Sequence, residues 1–113
     1  MTIRVYQLTD EVWAVAPEGR VDTAVAGAVE AAFNGLFDEG HTRVVADLSG
    51  VTYMASSGLR ALLLSWRRAG TLGGGVELAG VNDRVQDVLS MAGLDQVFRF
   101  HATAQEAVER FAH

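Results

Sequence analysis

Two adjacent serines followed by a glycine are the part of this sequence whose residue types could do chemistry. An apolar run at residues 44–46 leads to Asp47, and after a short loop Ser56, Ser57 and Gly58 begin a second apolar stretch. This order predicts a strand, a loop and a helix, with both hydroxyls at the helix N-terminus. Free backbone N–H groups and the positive end of the helix macrodipole favour an anion there. A serine in that place can cap the helix, act as a nucleophile or carry a phosphate.

The structural interpretation is that the Ser56 side chain caps the helix by accepting a hydrogen bond from a backbone N–H. Capping does not account for the second serine, Ser57, or for Gly58, which would let another backbone approach closely. We also expect Met54 in the preceding loop to be exposed. We therefore predict a docking surface here, because the two hydroxyls, the glycine and the methionine lie beside arginines.

Catalytic interpretations of the serines lack their other components. The segment has no Gly-x-Ser-x-Gly elbow, and no histidine is predicted beside Ser56 to act as a base, although His101 could approach it. The glycines at 73–75 precede a strand rather than a helix, and the chain has no lysine, so they do not predict a phosphate-binding loop. There is no cysteine, and the histidines are scattered. We predict no enzyme activity, no metal and no cofactor.

Composition favours an ordinary acidic domain over residues 1–113. Half of the 113 residues are hydrophobic, and the net charge is −5. This charge argues against nucleic acid or an anionic membrane as partner. Arg60, Arg67 and Arg68 are interpreted as a solvated helix face or as a contact for an acidic patch on a partner. No basic-then-apolar signal and no membrane-spanning run is apparent, so a cytoplasmic location is expected.

Apolar periodicity and turn residues predict alternating strands and helices. The order β-β-α-β-α-β-α-(β)-α predicts an α/β domain with a mixed four- to five-stranded sheet and about four helices. The stripe of Leu59, Leu62, Leu63 and Trp66 is predicted to face the core. The predicted elements are a strand hairpin at 2–8 and 12–16, a turn at 18–23 in which Asp22 or Thr23 caps a helix at 24–38, a strand at 44–46, a helix from Ser56, a strand at 76–80, a helix capped by Asn82, an extended connection at 94–100 and a helix capped by Thr103.

Four segments of this sequence form a pattern that goes beyond secondary structure. The most specific is Asp-Leu-Ser-Gly-Val-Thr-Tyr-Met-x-Ser-Ser-Gly-Leu at 47–59, and the others lie at 18–22, 74–81 and 85–98. Together they resemble the STAS domains of bacterial anti-sigma factor antagonists. The match covers nearly the whole chain in the right order. The resemblance implies a mixed sheet packed with helices, and a switch protein that binds an anti-sigma factor and so frees a sigma factor. The anti-sigma factor is usually a serine kinase of the GHKL ATPase type.

The resemblance also assigns roles to individual residues. In that family the serine after an aspartate is phosphorylated by the partner kinase, and a PP2C-type phosphatase restores the free hydroxyl. That serine corresponds to Ser56, but Ala55 stands where the family has the aspartate. Phosphorylation would add negative charge to the surface that meets the partner. The predicted contact patch consists of Arg20, Asp22, Thr23, Met54, Ala55, Ser57, Gly58, Leu59 and Arg60.

The alanine at position 55 keeps a second hypothesis open. In this alternative the chain is a STAS scaffold or subunit that works without phosphorylation. It would dock on a transporter ATPase, such as that of a lipid-transport system, or sit in a stress-signalling assembly. The sequence leaves open which anti-sigma and sigma factors are involved, and it leaves open the oligomeric state.

Overall fold

The computed structural model describes residues 2–112 and contains seven strands and four α-helices in that range. The strands are β1 Ile3–Gln7, β2 Trp13–Pro17, β3 Gly19–Val21, β4 Arg43–Asp47, β5 Val51–Met54, β6 Gly75–Ala79 and β7 Phe100–His101. The α-helices are α1 Thr23–Asp38, α2 Ser56–Thr71, α3 Asp83–Met91 and α4 Ala104–Phe111, and a 3-10 turn covers Leu94–Gln96. No helix among these is long and apolar enough to cross a membrane.

Five strands form the main sheet in the order β1-β2-β4-β6-β7. The first two pair antiparallel, and the remaining neighbours pair parallel. The predicted hairpin and the mixed α/β sheet are thus confirmed. Parallel neighbours need long connections, and α1, α2 and α3 supply them.

The other two strands, β3 and β5, form a separate parallel pair. Both were wrongly predicted, the first as a turn and the second as a loop. Strands of three and four residues are too short to show a period-two pattern. Their pairing also joins segments about thirty residues apart, which local sequence does not reveal.

The core lies on both faces of the main sheet. Val44 and Ala46 of β4 belong to a large apolar cluster with α1, α2 and α3, whereas Val45 points the opposite way into a smaller cluster with α4. The unbroken apolar run at residues 44–46 thus belongs to a strand that is covered on both faces. One short helix therefore covers one side of the sheet, and three helices cover the other.

The buried face of α2 differs from the predicted stripe. Leu59 and Leu62 are buried, but Leu63 is only partly buried and Trp66 is 36% exposed. Small residues complete the buried face, namely Gly58, Ala61, Ser65 and Ala69. They let α2 pack closely against α1 and the sheet, and Ser65 satisfies its buried hydroxyl by donating to the Ala61 carbonyl at 2.8 Å. The prediction was based on the large apolar side chains, whereas close packing of α2 places small side chains on much of its buried face.

Candidate functional site

The serine loop lies where two helices begin side by side. The β3–β5 pair aligns Val21 with Met54, and β3 leads into α1 as β5 leads into α2. The Ala55 N–H donates to the Val21 carbonyl at 2.9 Å. The residues preceding the two helices, Asp22 and Ala55, are consequently neighbours. Two helix N-termini, each the positive end of a helix dipole, therefore start from one small strand pair.

The two helix N-termini are capped unequally. Asp22 caps α1, because its Oδ1 accepts from the Ala24 N–H at 3.1 Å. The corresponding position of α2 is Ala55, which has the extended backbone of a cap residue (φ −81°, ψ 168°) but no side-chain acceptor. The prediction that Asp22 or Thr23 caps α1 is thus confirmed for Asp22. The prediction that Ser56 caps α2 is wrong, because Ser56 is already the first helical residue.

The first N–H groups of α2 are left without acceptors. The N–H groups of Gly58 and Leu59 donate to the Ala55 carbonyl at 2.9 and 3.2 Å. Within residues 2–112, the N–H groups of Ser56 and Ser57 donate to no acceptor. This end of the helix therefore retains hydrogen-bonding capacity for an anion.

The two serine hydroxyls have different surroundings. Ser57 is partly buried, and its Oγ donates to Thr23 Oγ1 at 3.3 Å, which links the first turns of α2 and α1. Ser56 is exposed, and its hydroxyl makes no hydrogen bond to any described residue. Of the pair, Ser56 therefore offers the more accessible hydroxyl to another molecule.

Gly58 is the point of closest packing between α2 and the β3–β5 pair. A Cβ atom there would lie 2.8 Å from Met54 Cγ, 2.9 Å from Val21 Cγ1 and 3.3 Å from the Val21 carbonyl oxygen. The predicted close approach of another backbone is confirmed. Met54, in contrast, is only 3% exposed, so the prediction of an exposed methionine is wrong. Its side chain points from β5 into the core beneath the serines.

The predicted contact patch is thus layered. Exposed members surround the serine loop, partly buried members hold the two helix starts together, and buried members support both from below. The exposed residues are Arg20, Thr23 and Arg60, the partly buried ones are Asp22, Ala55 and Ser57, and the buried ones are Met54, Gly58 and Leu59.

Arg20 is held in place by an aromatic neighbour that sequence reasoning missed. The guanidinium carbon of Arg20 lies 4.2 Å from the centre of the Tyr53 ring. The two residues are partners in the β3–β5 register. This cation–π contact leaves the charge of Arg20 exposed. We refer to the exposed residues Arg20, Thr23, Ser56 and Arg60 together as the serine loop surface. Only knowledge of the strand pairing would have indicated Tyr53.

Comparison with known proteins agrees with this geometry. The family model described as the STAS domain matches residues 4–107. The chain belongs to the STAS domain family. It is 30% identical over 94 residues to a Bordetella bronchiseptica protein named as an anti-sigma factor antagonist, BtrV, a match that covers 83% of this chain and 81% of that protein.

Solved structures with similar folds carry related names. An anti-sigma factor antagonist from Mycobacterium paratuberculosis has a TM-score of 0.88 at 25% identity, covering 99% of this chain and 94% of that one. The anti-sigma factor antagonist SpoIIAA in its unphosphorylated form has a TM-score of 0.82 at 22% identity, covering 96% and 95% of the two chains. The Bacillus cell fate determinant SpoIIAA in its phosphorylated form has a TM-score of 0.76 at 21% identity, covering 96% and 98%. The SpoIIAA likeness shows the fold.

In this STAS domain the arginines of α2 divide into two kinds. Arg68 is structural: its two terminal nitrogens donate to Asn34 Oδ1 at 2.7 Å and Asp38 Oδ1 at 2.6 Å, both on α1. Arg60 and Arg67 are exposed and form no ion pair with any described residue. Their charges are available to other molecules.

The aspartate that opens the STAS motif also has a structural role. Asp47 accepts hydrogen bonds from the Tyr6 hydroxyl at 3.0 Å and from the N–H and hydroxyl of Ser49 at 3.1 and 2.7 Å. Burial raises the pKa of Tyr6 above its usual value, and the hydrogen bond to Asp47 adds to the effect. Asp47 thereby fixes the turn that leads from the main sheet to β5.

His101 does not approach Ser56, because it pairs with a glutamate on the neighbouring strand. His101 Nε2 is 2.9 Å from Glu77 Oε1, and these residues belong to β7 and β6. In residues 2–112, no group of three or more histidine, aspartate or glutamate side chains could hold a metal ion.

Proposed function

We propose that this STAS domain is an anti-sigma factor antagonist whose binding is switched by phosphorylation of Ser56. The observation that carries the proposal is the exposed, unbonded Ser56 hydroxyl at a helix start whose first two N–H groups lack acceptors. The names of its relatives support the same class of function. On this proposal the protein binds and releases a partner and catalyses nothing itself.

The local physics suits a phosphate as the switching group. A phosphate adds about −1.5 to −2 charge at neutral pH and three acceptor oxygens. The free N–H groups and the α2 dipole favour that charge within the protein. A partner surface packed against Ser56 would instead meet a bulky dianion, so binding weakens while the fold survives.

The partner is proposed to be an anti-sigma factor that is also a serine kinase of the GHKL type. Binding it would free a sigma factor, phosphorylation would end the complex, and a PP2C-type phosphatase would restore the hydroxyl. Arg20, Thr23 and Arg60 would contact the partner directly, because they are the exposed members of the contact patch. Met54 and Gly58 are buried, so they would act indirectly, by holding the start of α2 in position against the β3–β5 pair.

Phosphorylation by the cognate kinase tests the proposal. The purified protein is incubated with the anti-sigma kinase and ATP, and intact mass is used to count the phosphoryl groups gained. The wild type and Ser57→Ala should gain one group, and Ser56→Ala should gain none. Ser56→Ala should also stay bound to the anti-sigma factor in the presence of ATP, whereas Ser56→Glu should bind it more weakly. Equal labelling of Ser56→Ala and wild type would refute the assignment.

Ala55 favours a second candidate function, a scaffold module that is never phosphorylated. An alanine cannot accept a hydrogen bond, so it gives the kinase none of the orientation that an aspartate would. In this case affinity purification from the native cell should recover a transporter ATPase or a stress-signalling assembly. Recovery of an anti-sigma factor alone would reject the scaffold.

A further inference from the structure

A groove separate from the serine loop surface lies between the C-terminal half of α2 and the start of β6. Its volume is about 530 Å³, and its lining is mostly apolar. The residues that line it are Trp66, Arg67, Gly70, Thr71, Gly74 and Gly75. We refer to this feature as the Trp66 groove.

The groove exists because three of its six lining residues have no side chain. No atom lies within 4 Å of the position that a Cβ on Gly70 would occupy, so open space faces this turn of α2. Trp66 forms the wall, with its ring centre 6.2 Å from that of Phe98 in an edge-to-face arrangement. The contact with buried Phe98 fixes the indole, although the side chain remains 36% exposed.

The charge at the groove is opposite to that of the whole molecule. The chain carries a net charge of −5, yet no acidic residue lines the groove. Arg67 lines it, is exposed, and has no ion-pair partner among residues 2–112. Tryptophan and arginine are the residue types enriched where interfaces concentrate their binding energy. A partner that complements this place supplies an apolar group and a negative charge.

The groove suits the side chain of a partner better than an additional β-strand paired to β6. β4 pairs with the whole of β6 along one edge, whereas β7 pairs along the other edge only with Leu78 and Ala79, so the first part of β6 has no strand neighbour on this second edge within the described residues. Val76 in that part is nevertheless only 1% exposed, so its backbone is covered and cannot take up a new strand. Gly70, Gly74 and Gly75 line the groove beside Trp66 and leave room there for a side chain.

We propose that the Trp66 groove binds a protein segment that presents a bulky apolar side chain next to an aspartate or glutamate. The apolar group would pack on the indole over Gly70, and the carboxylate would pair with Arg67. Trp66 lies ten residues after Ser56 on the same helix, a rise of about 15 Å. The groove can therefore be occupied while the serine loop surface is bound to another partner. The proposal for the groove does not depend on whether Ser56 is phosphorylated.

Peptide titration followed by NMR tests the proposal on the ¹⁵N-labelled full chain. The probes are three capped tripeptides, Asp-Phe-Asp, Asn-Phe-Asn and Asp-Ala-Asp. A single apolar anchor with one ion pair gives an affinity on the order of 1 mM. Asp-Phe-Asp should shift the Trp66 indole N–H and the amides of Gly70, Gly74 and Gly75. The other two probes should bind about fivefold more weakly or not at all.

Matched variants separate binding from folding. Gly70→Leu places its Cβ in open space and adds bulk at the groove, so it should abolish the shifts, whereas Gly35→Leu, at a helical glycine of α1 whose Cβ position is equally open, should not change them. Arg67→Glu should weaken binding about fivefold, and Arg84→Glu on α3 should leave it unchanged. Equal binding of all three probes, or no shift at the groove with any, would overturn the proposal. So would self-association in sedimentation that Gly70→Leu abolishes, because the occupant would then be a second copy.

Discussion

Ala55 leaves α2 without the side-chain cap that Asp22 gives to α1, although both residues hold the extended backbone of a cap. Three caps were predicted from sequence and are confirmed: Asp22, Asn82 and Thr103 each accept from a backbone N–H in the following turn. The Ser56 cap was wrong because a hydroxyl at the right place in a sequence does not fix where β5 ends and α2 begins. The backbone conformation decides the cap, and here it selects an alanine.

Ala55→Asp should stabilise the protein. The new carboxylate can accept from a free N–H in the first turn of α2 and interact with its dipole, worth about 1 kcal/mol. The melting temperature should rise by about 4 °C. Thermal unfolding by circular dichroism measures the change, and Thr52→Asp, at an exposed position of β5, is the control. Unchanged or lower stability would mean that the α2 N-terminus is already satisfied.

Tyr6 should make the protein less stable at high pH. Its pKa is raised in the folded state by burial and by Asp47. The folded state therefore holds this proton more tightly than the unfolded state, whose tyrosine pKa is about 10. The resulting stability is fully present below about pH 10 and is lost as pH rises through the folded pKa. Urea unfolding across this range should show the loss in wild type and a smaller loss in Tyr6→Phe. Identical pH profiles would refute the coupling.

At the scale of elements, the β3–β5 pair determines the geometry of the site, and it was the least predictable part of the fold. The long helices and the strands β1, β2, β4 and β6 follow from periodicity and were predicted within a few residues. The predicted extended connection at 94–100 is wrong at its start, because Leu94–Gln96 form a 3-10 turn and the strand β7 begins only at Phe100. β3 and β5 carry no such pattern, and only their pairing across the chain makes them strands. The resemblance to STAS domains assigned the switching role to Ser56, and this assignment stays a prediction. It did not indicate that Met54 is buried or that Tyr53 supports Arg20.

Gly58→Ala should destabilise the contact between α2 and the β3–β5 pair. The added methyl would meet Met54 and Val21 at under 3 Å, and overpacking of this kind costs about 1–3 kcal/mol. Gly35→Ala is the matched control, because its Cβ meets nothing and alanine favours a helix by up to about 1 kcal/mol. Urea denaturation measures both variants. Equal stability of the two would show that the strand pair yields without cost.

For the whole molecule, the two faces of the main sheet are covered very differently. α1, α2 and α3 share one large apolar cluster, while α4 alone covers the smaller cluster around Val45 and Ala79. Sequence predicted the class of fold because alternating strands and helices permit few arrangements. It could not predict which helix would cover the second face by itself, since this depends on the side of the sheet to which the chain passes after β7.

Hydrogen exchange should show that α4 opens before the rest of the protein. Among its eight residues only Ala107 and Val108 are buried, so little apolar surface opposes local unfolding. Native-state exchange with increasing denaturant should give α4 amides a lower opening free energy than those of α1 and β4. Val108→Ala should speed exchange in α4 with little effect on α1. Uniform opening energies throughout the chain would indicate one cooperative unit.

The layering of the serine loop surface has a consequence for how copies of such a domain diverge. Arg20, Thr23 and Arg60 are exposed, whereas Met54, Gly58 and Leu59 beneath them are buried. Substitutions at the exposed positions cost little folding free energy, so they can change freely after gene duplication. Under the proposed function, a genome could therefore accumulate several such domains, each tuned to its own kinase. The signalling routes would stay insulated because mismatched charges on this rim reject the wrong partner.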